Sequence, residues 1–385
     1  VKFPTANTST APRYNPNDTG YKKIFRVGGL PLMLGDIVAG GDHRLSLNPT
    51  LAGGAGGFVL LNPQEVTASV VGESYNLVVK NNTTNPNYQL DATADEIVLK
   101  TAIGGTALLV SGVSATADIT LSGVSGLDTG TEANSQWYRC FCIRKTSPLS
   151  AVPVTADAST DRITYAAHGL AANSPVQFGG TAVPTGLTAG TTYYVRDVTT
   201  NDFKVAAIPG GVAIDLTSAG TAVTMPEVPA LLLSTSSTAP TMPSGYTYKA
   251  PVSDIYNDGS GNFIRISQKD KNVYMTVNRE MLNGALTGAA WTALSNAAFF
   301  PPTAKQIRIA FGYDSAISVG MSGFSDGHGG TYFNITPSGG GAQSWPGLTT
   351  ARHGHGSTVI PYAANMYYFA SGTSNGFVMA TGWTY

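Results

Sequence analysis

Apolar residues along the chain return in short runs with a period of two, the spacing of strands that bury one face. The runs fall at residues 58–61, 75–79, 96–101, 107–110, 119–121 and 137–144, and resume at 231–234, 252–256, 263–267 and 273–277. Short strands at such intervals imply a sandwich. Between two of them, Asn257-Asp258-Gly259-Ser260-Gly261-Asn262 supplies residues that tolerate positive φ and predicts a hairpin turn.

Residues 151–226 carry a separate pattern, with strands at 162–165, 175–178, 192–198 and 203–205 and a turn at His168-Gly169. Pro148 and Pro153 bound it on one side, Pro226 and Pro229 on the other. Chains tolerate insertions best at hairpin tips, so this segment reads as a small β-domain inserted between strands 137–144 and 231–234, which then pair directly. Residues 1–57 show no sustained period, and the apolar stretch 25–38 is broken by Gly28, Gly29, Pro31 and Gly35. They read as an extended arm that packs against a neighbouring chain. From residue 304, strands at 306–313, 332–335, 358–361, 366–370 and 376–380 are joined by glycine-rich loops, the longest at 322–330 and 338–356.

The fold class expected is therefore all-β: multidomain antiparallel β-sandwiches with an extended N-terminal arm. The arm spans 1–57, a split sandwich 58–150 and 227–303, the insert 151–226, and a loop-rich C-terminal β-domain 304–385. Composition agrees, because only 12% of the 385 residues are charged, against about 25% in an ordinary globular protein, while 45 Gly and 22 Pro spread turn formers throughout. A 42% hydrophobic and 9% aromatic content argues against disorder.

Charge narrows the partners. Lys and Arg number 22 against 23 Asp and Glu, with no basic run to track a phosphate backbone, so nucleic acid is not expected. No apolar run approaches the roughly 20 residues of a membrane span, so membrane insertion is not expected either. Cys140 and Cys142 alternate on one strand and face the same way, too far apart for a disulfide, and read as small core residues.

One ordered phrase resembles a module of bacteriophage tail-fibre and related virion structural proteins. It runs Leu233-Ser234-Thr235-Ser236-Ser237-Thr238-Ala239-Pro240-Thr241-Met242-Pro243-Ser244-Gly245-Tyr246, then Asp258-Gly259-Ser260-Gly261-Asn262-Phe263, with Leu127-Asp128-Thr129-Gly130 and Trp137-Tyr138 upstream. The likeness covers residues 58–150 and 227–313. Inside the insert, His168-Gly169-Leu170, the run from Pro184-Thr185-Gly186 to Tyr193-Tyr194-Val195, Phe203 and Gly210-Gly211 are similar to a small β-module repeated in phage structural proteins.

The resemblance implies a virion component made in the host cytoplasm, a homotrimer whose arm docks to other virion proteins and whose distal part contacts a host surface glycan or protein. The alternative it leaves open is a head fibre, decoration or baseplate protein with a purely structural role.

Candidate chemistry points to binding rather than catalysis. Gly372-Thr373-Ser374-Asn375-Gly376 fits a nucleophile elbow, but that turn needs a strand before it and a helix after it, and strands are expected on both sides. A polysaccharide-cleaving spike would need stacked repeats and paired carboxylates, whereas no internal period exists and the C-terminal third offers only Asp314 and Asp326. No cofactor is expected.

Asp254, Asn257, Asp258 and Asn262 lack the spacing of a helix-flanked calcium loop. His353-Gly354-His355 would present both imidazoles on one strand face, and three copies in a trimer would gather six around the axis, although the flanking glycines suit a loop equally. His168 reads as structural, bonding a nearby backbone group. Trp345, Tyr332 and His328 are the candidate contacts to a host receptor or glycan. Tyr367 and Phe369 alternate with Met366, Tyr368 and Ala370, making both faces of one strand apolar, and are the candidates for a trimer interface.

Overall fold

The computed structural model describes residues 13–15, 21–25, 37, 44–61, 73–102, 105–286, 290–313, 318–322, 331–334, 354–363, 365–370 and 374–385. The chain divides into two compact units, 1–70 and 71–385. Among the described residues no helix is long and apolar enough to cross a membrane.

In the first unit, four short strands form one sheet in the order Arg13–Tyr14, Lys22–Phe25, Gly57–Leu60, Leu45–Asn48. Its second and third strands run parallel. Ile24, Ile37 and Leu60 are buried between them, with Tyr14, Leu45 and Phe58 packed alongside. Gly57 is required here, since a β-carbon would lie 2.7 Å from the Phe25 ring. The segment expected as an arm thus contains a small sheet, and the run at 58–61 belongs to it, not to the sandwich. Strands of two to four residues place one or two side chains inward, too few for a period to register.

The second unit is built on a twelve-stranded, antiparallel sheet. Its main path runs Ala230–Ser234, Gln136–Lys145, Tyr246–Asn257, Gln89–Lys100, Val78–Asn81, Ile266–Lys269, Asn272–Leu286, Ser374–Thr384, Gln306–Tyr313, Gly354–Pro361. Gln136–Lys145 and Ser374–Thr384 stand six strand steps apart, about 29 Å if the sheet were flat. Yet the ring centroids of Trp137 and Trp383 are 5.6 Å apart. The sheet therefore bends back on itself, and both halves bury side chains in a shared core that includes Leu99, Cys140, Leu233, Ile255, Ile309 and Val378.

Ala230–Ser234 pairs with Gln136–Lys145 from Ala230↔Ile143 to Ser234↔Arg139, so the strands on either side of the insert are direct neighbours. This pair is covered on both faces. Leu231 and Leu233 enter the main core, while Ala230 and Leu232 join Phe141, Ile143 and Tyr246 in a second cluster.

The insert leaves and returns through a two-stranded ladder, Val152–Pro153 against Thr224–Met225, and folds as a five-stranded sheet around its own core of Ile163, Phe178, Tyr193, Val195, Phe203 and Leu216. It is seated on the sandwich by polar contacts. Thr116 N–H donates to Tyr194 Oη at 2.6 Å, Thr192 Oγ1 donates to Ser114 O at 2.9 Å, and Ser125 Oγ donates to Asn173 O at 3.0 Å. Burial of its hydroxyl pushes the Tyr194 pKa up to about 12.

The C-terminal stretch does not stand apart as a domain. Ser374–Thr384 pairs along the fifteen-residue strand Asn272–Leu286, with bulges between Tyr274 and Arg279 and between Glu280 and Leu282, and brings Gln306–Tyr313 and Gly354–Pro361 into the same sheet. A separate four-stranded sheet, ordered Thr292–Ser295, Asn365–Ala370, Ser318–Ser322, Thr331–Asn334, lays Met321, Met366, Tyr368 and Ala370 on the common core. The turn at 257–262 forms, with Asp258 N–H bonded to Asn262 O at 2.8 Å. The chain first folds back on Tyr246–Asn257, with Asn257 bridging Phe263 and the Ile264 N–H donating to Tyr256 O at 2.9 Å, and then Ile266–Lys269 crosses away to pair with Val78–Asn81 and Asn272–Leu286.

Because the insert has its own core, damage there should stay local. Phe203, fully buried against the His168 ring at 5.1 Å, is the test. Phe203→Ala should cost about 3–5 kcal/mol, and calorimetry should show an early transition for the insert while the main melt stays within a few degrees of wild type. One merged transition shifted as a whole would show that the insert is not an independent unit.

Candidate functional site

The side chains that close the sheet also bring polar groups into its interior. Trp137 packs on its cross-strand partner Tyr256 at 5.1 Å, and its Nε1 donates to Ala297 O at 2.8 Å. Arg279 lies between Tyr256 and Phe299, 4.7 Å and 5.0 Å from the ring centroids, and burial lowers its pKa. Trp383 continues the series to Tyr385 at 6.5 Å.

Beside this aromatic seam sits a buried acid. Asp254 is 3% exposed and pairs in register with Arg139, whose guanidinium approaches to 3.8 Å. Thr303 Oγ1 donates to the Asp254 carboxylate, and the Asp254 N–H donates to Tyr385 Oη at 2.6 Å. Burial outweighs Arg139 and the hydroxyls, so the Asp254 pKa is raised. The same burial, with the Asp254 charge beside it, drives the Tyr385 pKa well up.

Above these groups a cleft of about 480 Å³ opens on the strands Gln136–Lys145, Tyr246–Asn257 and Gln89–Lys100. Phe141 and Pro251 supply its apolar surface, the loop Ser237-Thr238-Ala239 and Thr303 its hydroxyl-bearing wall, and Lys100, Arg139 and Lys249 its charge. None of the three cations was singled out by sequence reasoning. They come from three strands that are not consecutive in the chain and share no local motif. The available signal was weaker: basic residues on central strands of a chain with only 12% charge.

The predicted site residues fall as follows. Trp345, His328 and His353 lie outside the described residues, as do Asp314 and Asp326. His355 lies on Gly354–Pro361 with its backbone opposite Gly312. Tyr332 and Phe369 both pair with Gly320, from its two sides, so register sets these two candidates in one row of the small sheet. Tyr367 is half-buried on the face opposite Met366 and Tyr368, which belong to the core. His168 accepts the Leu170 N–H on Nδ1 at 3.0 Å, the backbone bond expected of it. Cys140 and Cys142 are free and fully buried in the same core, and burial pushes the Cys142 thiol up to about 12 and Cys140 higher still. Among the described residues no three His, Cys, Asp or Glu side chains gather as a metal site would require. Comparison with protein-family models, with curated proteins and with solved structures gives no match to the chain.

The raised Asp254 pKa fixes a sign. A carboxyl that holds its proton more tightly in the folded than in the unfolded chain favours folding below its unfolded value, and that contribution is lost as pH rises through its folded value. Asp254→Asn mimics the protonated form. Urea midpoints measured between about pH 4 and pH 8 should show the wild type losing stability relative to the variant as pH rises. Parallel curves would contradict the assignment.

Proposed function

We propose that this chain is a structural protein of a bacteriophage virion, a fibre-type homotrimer that attaches the particle to the host cell surface by binding. One observation carries the reading. The phrase resembling phage tail-fibre proteins is scattered over residues 127–263, and its parts converge in space. Leu127 bridges Leu233, and the Asp128 N–H donates to Leu233 O at 2.8 Å. The Asp128 carboxylate accepts Ser234 Oγ at 2.7 Å and Thr241 N–H at 2.8 Å. The third part joins through the segment that links the two upstream pieces, with Ser135 N–H donating to Asp258 O at 3.1 Å and Asn134 Nδ2 to Gly259 O at 3.0 Å.

A phrase whose separated parts bond to each other behaves as one module, which supports reading it as inherited whole and interrupted by the insert. The half-buried Tyr367, on the face of its strand opposite the core residues Met366 and Tyr368, supports a subunit interface on that face of the small sheet.

The test uses the full chain, because the strands after residue 304 share the central sheet. Light scattering should give three times the 39.9 kDa of one chain. Immunogold labelling should find the protein on phage particles, and the purified protein should adsorb to susceptible cells and compete with infection. A monomeric mass would remove the trimer. Labelling without adsorption would favour a head fibre, decoration or baseplate role, and no labelling at all would overturn the virion reading.

A further inference from the structure

The cleft over Phe141 and Pro251 has an electrostatic arrangement that folding alone does not account for. Lys249 stands directly opposite Lys100 in the antiparallel register. Directly opposed residues share a face, and like charges in that position repel. Among the described residues neither lysine has an acidic side chain within ion-pair distance; Lys249 Nζ only donates to Thr101 O at 3.3 Å.

Arg139 adds a third charge to the same wall. Its side chain is 16% exposed, and its one acidic neighbour is Asp254, already engaged by Thr303. The Arg139 Nε–H is buried with no acceptor. Two opposed ammonium groups are a cost that an anion entering the cleft would relieve, with the Arg139 guanidinium adding to the attraction.

The rest of the lining limits what carries that anion. Phe141, Pro251 and Ala239 offer apolar contact, Ser237, Thr238 and Thr303 offer hydroxyls, and about 480 Å³ accommodates a ring-sized body. We infer that this cleft is a binding site for a small organic anion, a carboxylate or phosphate head on an apolar-faced ring, held by Lys100, Lys249 and Arg139. The inference does not depend on the fibre reading, because it rests on the cleft alone.

The probes are benzoate and phenyl phosphate, with inorganic phosphate and benzyl alcohol as the head without the ring and the ring without the charge. Titration calorimetry on the full chain should give one site per chain for a ring-bearing anion. Benzoate alone, phenyl phosphate alone or both would each support the site and would identify the preferred head. Lys100→Gln and Lys249→Gln should each weaken binding about tenfold, the loss of one charged hydrogen bond. Each should also raise the melting temperature of the unliganded protein, since repulsion is relieved, and a merely structural lysine would not give these opposite signs.

On the unmodified protein, bound ligand should slow reductive methylation of Lys100 and Lys249 and leave an exposed lysine such as Lys269 unaffected. This readout holds even if a variant folds poorly. Failure of both ring anions to bind, equal binding of benzyl alcohol, or unchanged affinity in the double variant would overturn the site.

Discussion

The contact between Trp137 and Trp383 is the constraint on which the rest of the larger unit depends. It joins two strands that the sheet path separates by six steps, and it forces a continuous antiparallel sheet to enclose its own core. Open sheets of this size expose one face and two edges, both of which invite association. Closure removes the apolar face from water and fixes strands from residue 77 to residue 383 around a common interior. Tyr256, Phe299 and Arg279 extend the seam, and the bulges in Asn272–Leu286 supply the local bending that closure demands.

Polar anchors then fix what the apolar core leaves free. Hydrophobic burial is non-directional, so a twelve-stranded sheet held by apolar contacts alone would tolerate small slips. Asp254 opposes this at the seam, through Arg139, Thr303 and Tyr385. Glu227 does the same at the base of the insert. Its carboxylate meets Lys145 Nζ at 2.9 Å and accepts the Tyr246 hydroxyl at 3.1 Å, while Arg144 donates to its carbonyl. Buried ion pairs add little net stability, but removing one partner strands the other, so each resists displacement of its strand.

The all-β class was legible in the sequence because several strands of the main sheet, such as Gln89–Lys100 and Tyr246–Asn257, are long enough to carry a strand pattern. Ala230–Ser234, buried throughout, and Gln136–Lys145 read as an apolar pair bounded by prolines, and their adjacency followed from the position of the insert between them. The C-terminal strands misled for a physical reason. Pairing between Asn272–Leu286 and Ser374–Thr384 is decided by complementary surfaces about 100 residues apart, and a glycine-rich stretch between them looks the same whether it links two domains or two strands of one sheet. The cleft was invisible on similar grounds, since a lysine on one strand and another on a distant strand carry no local pattern until register sets Lys249 against Lys100.

The strand Gln136–Lys145 connects these features. Arg139 sits at the cleft, Phe141 is part of its lining, and Arg144 and Lys145 hold Glu227 at the root of the insert. Phe141 also packs with Ile143, Leu232 and Tyr246, the tyrosine that donates to Glu227. Interiors are packed too densely for such neighbours to move singly. A shift of the insert that disturbed Glu227 would therefore be felt through Tyr246 at Phe141, and the seating of the module and the shape of the cleft are two consequences of one strand's position.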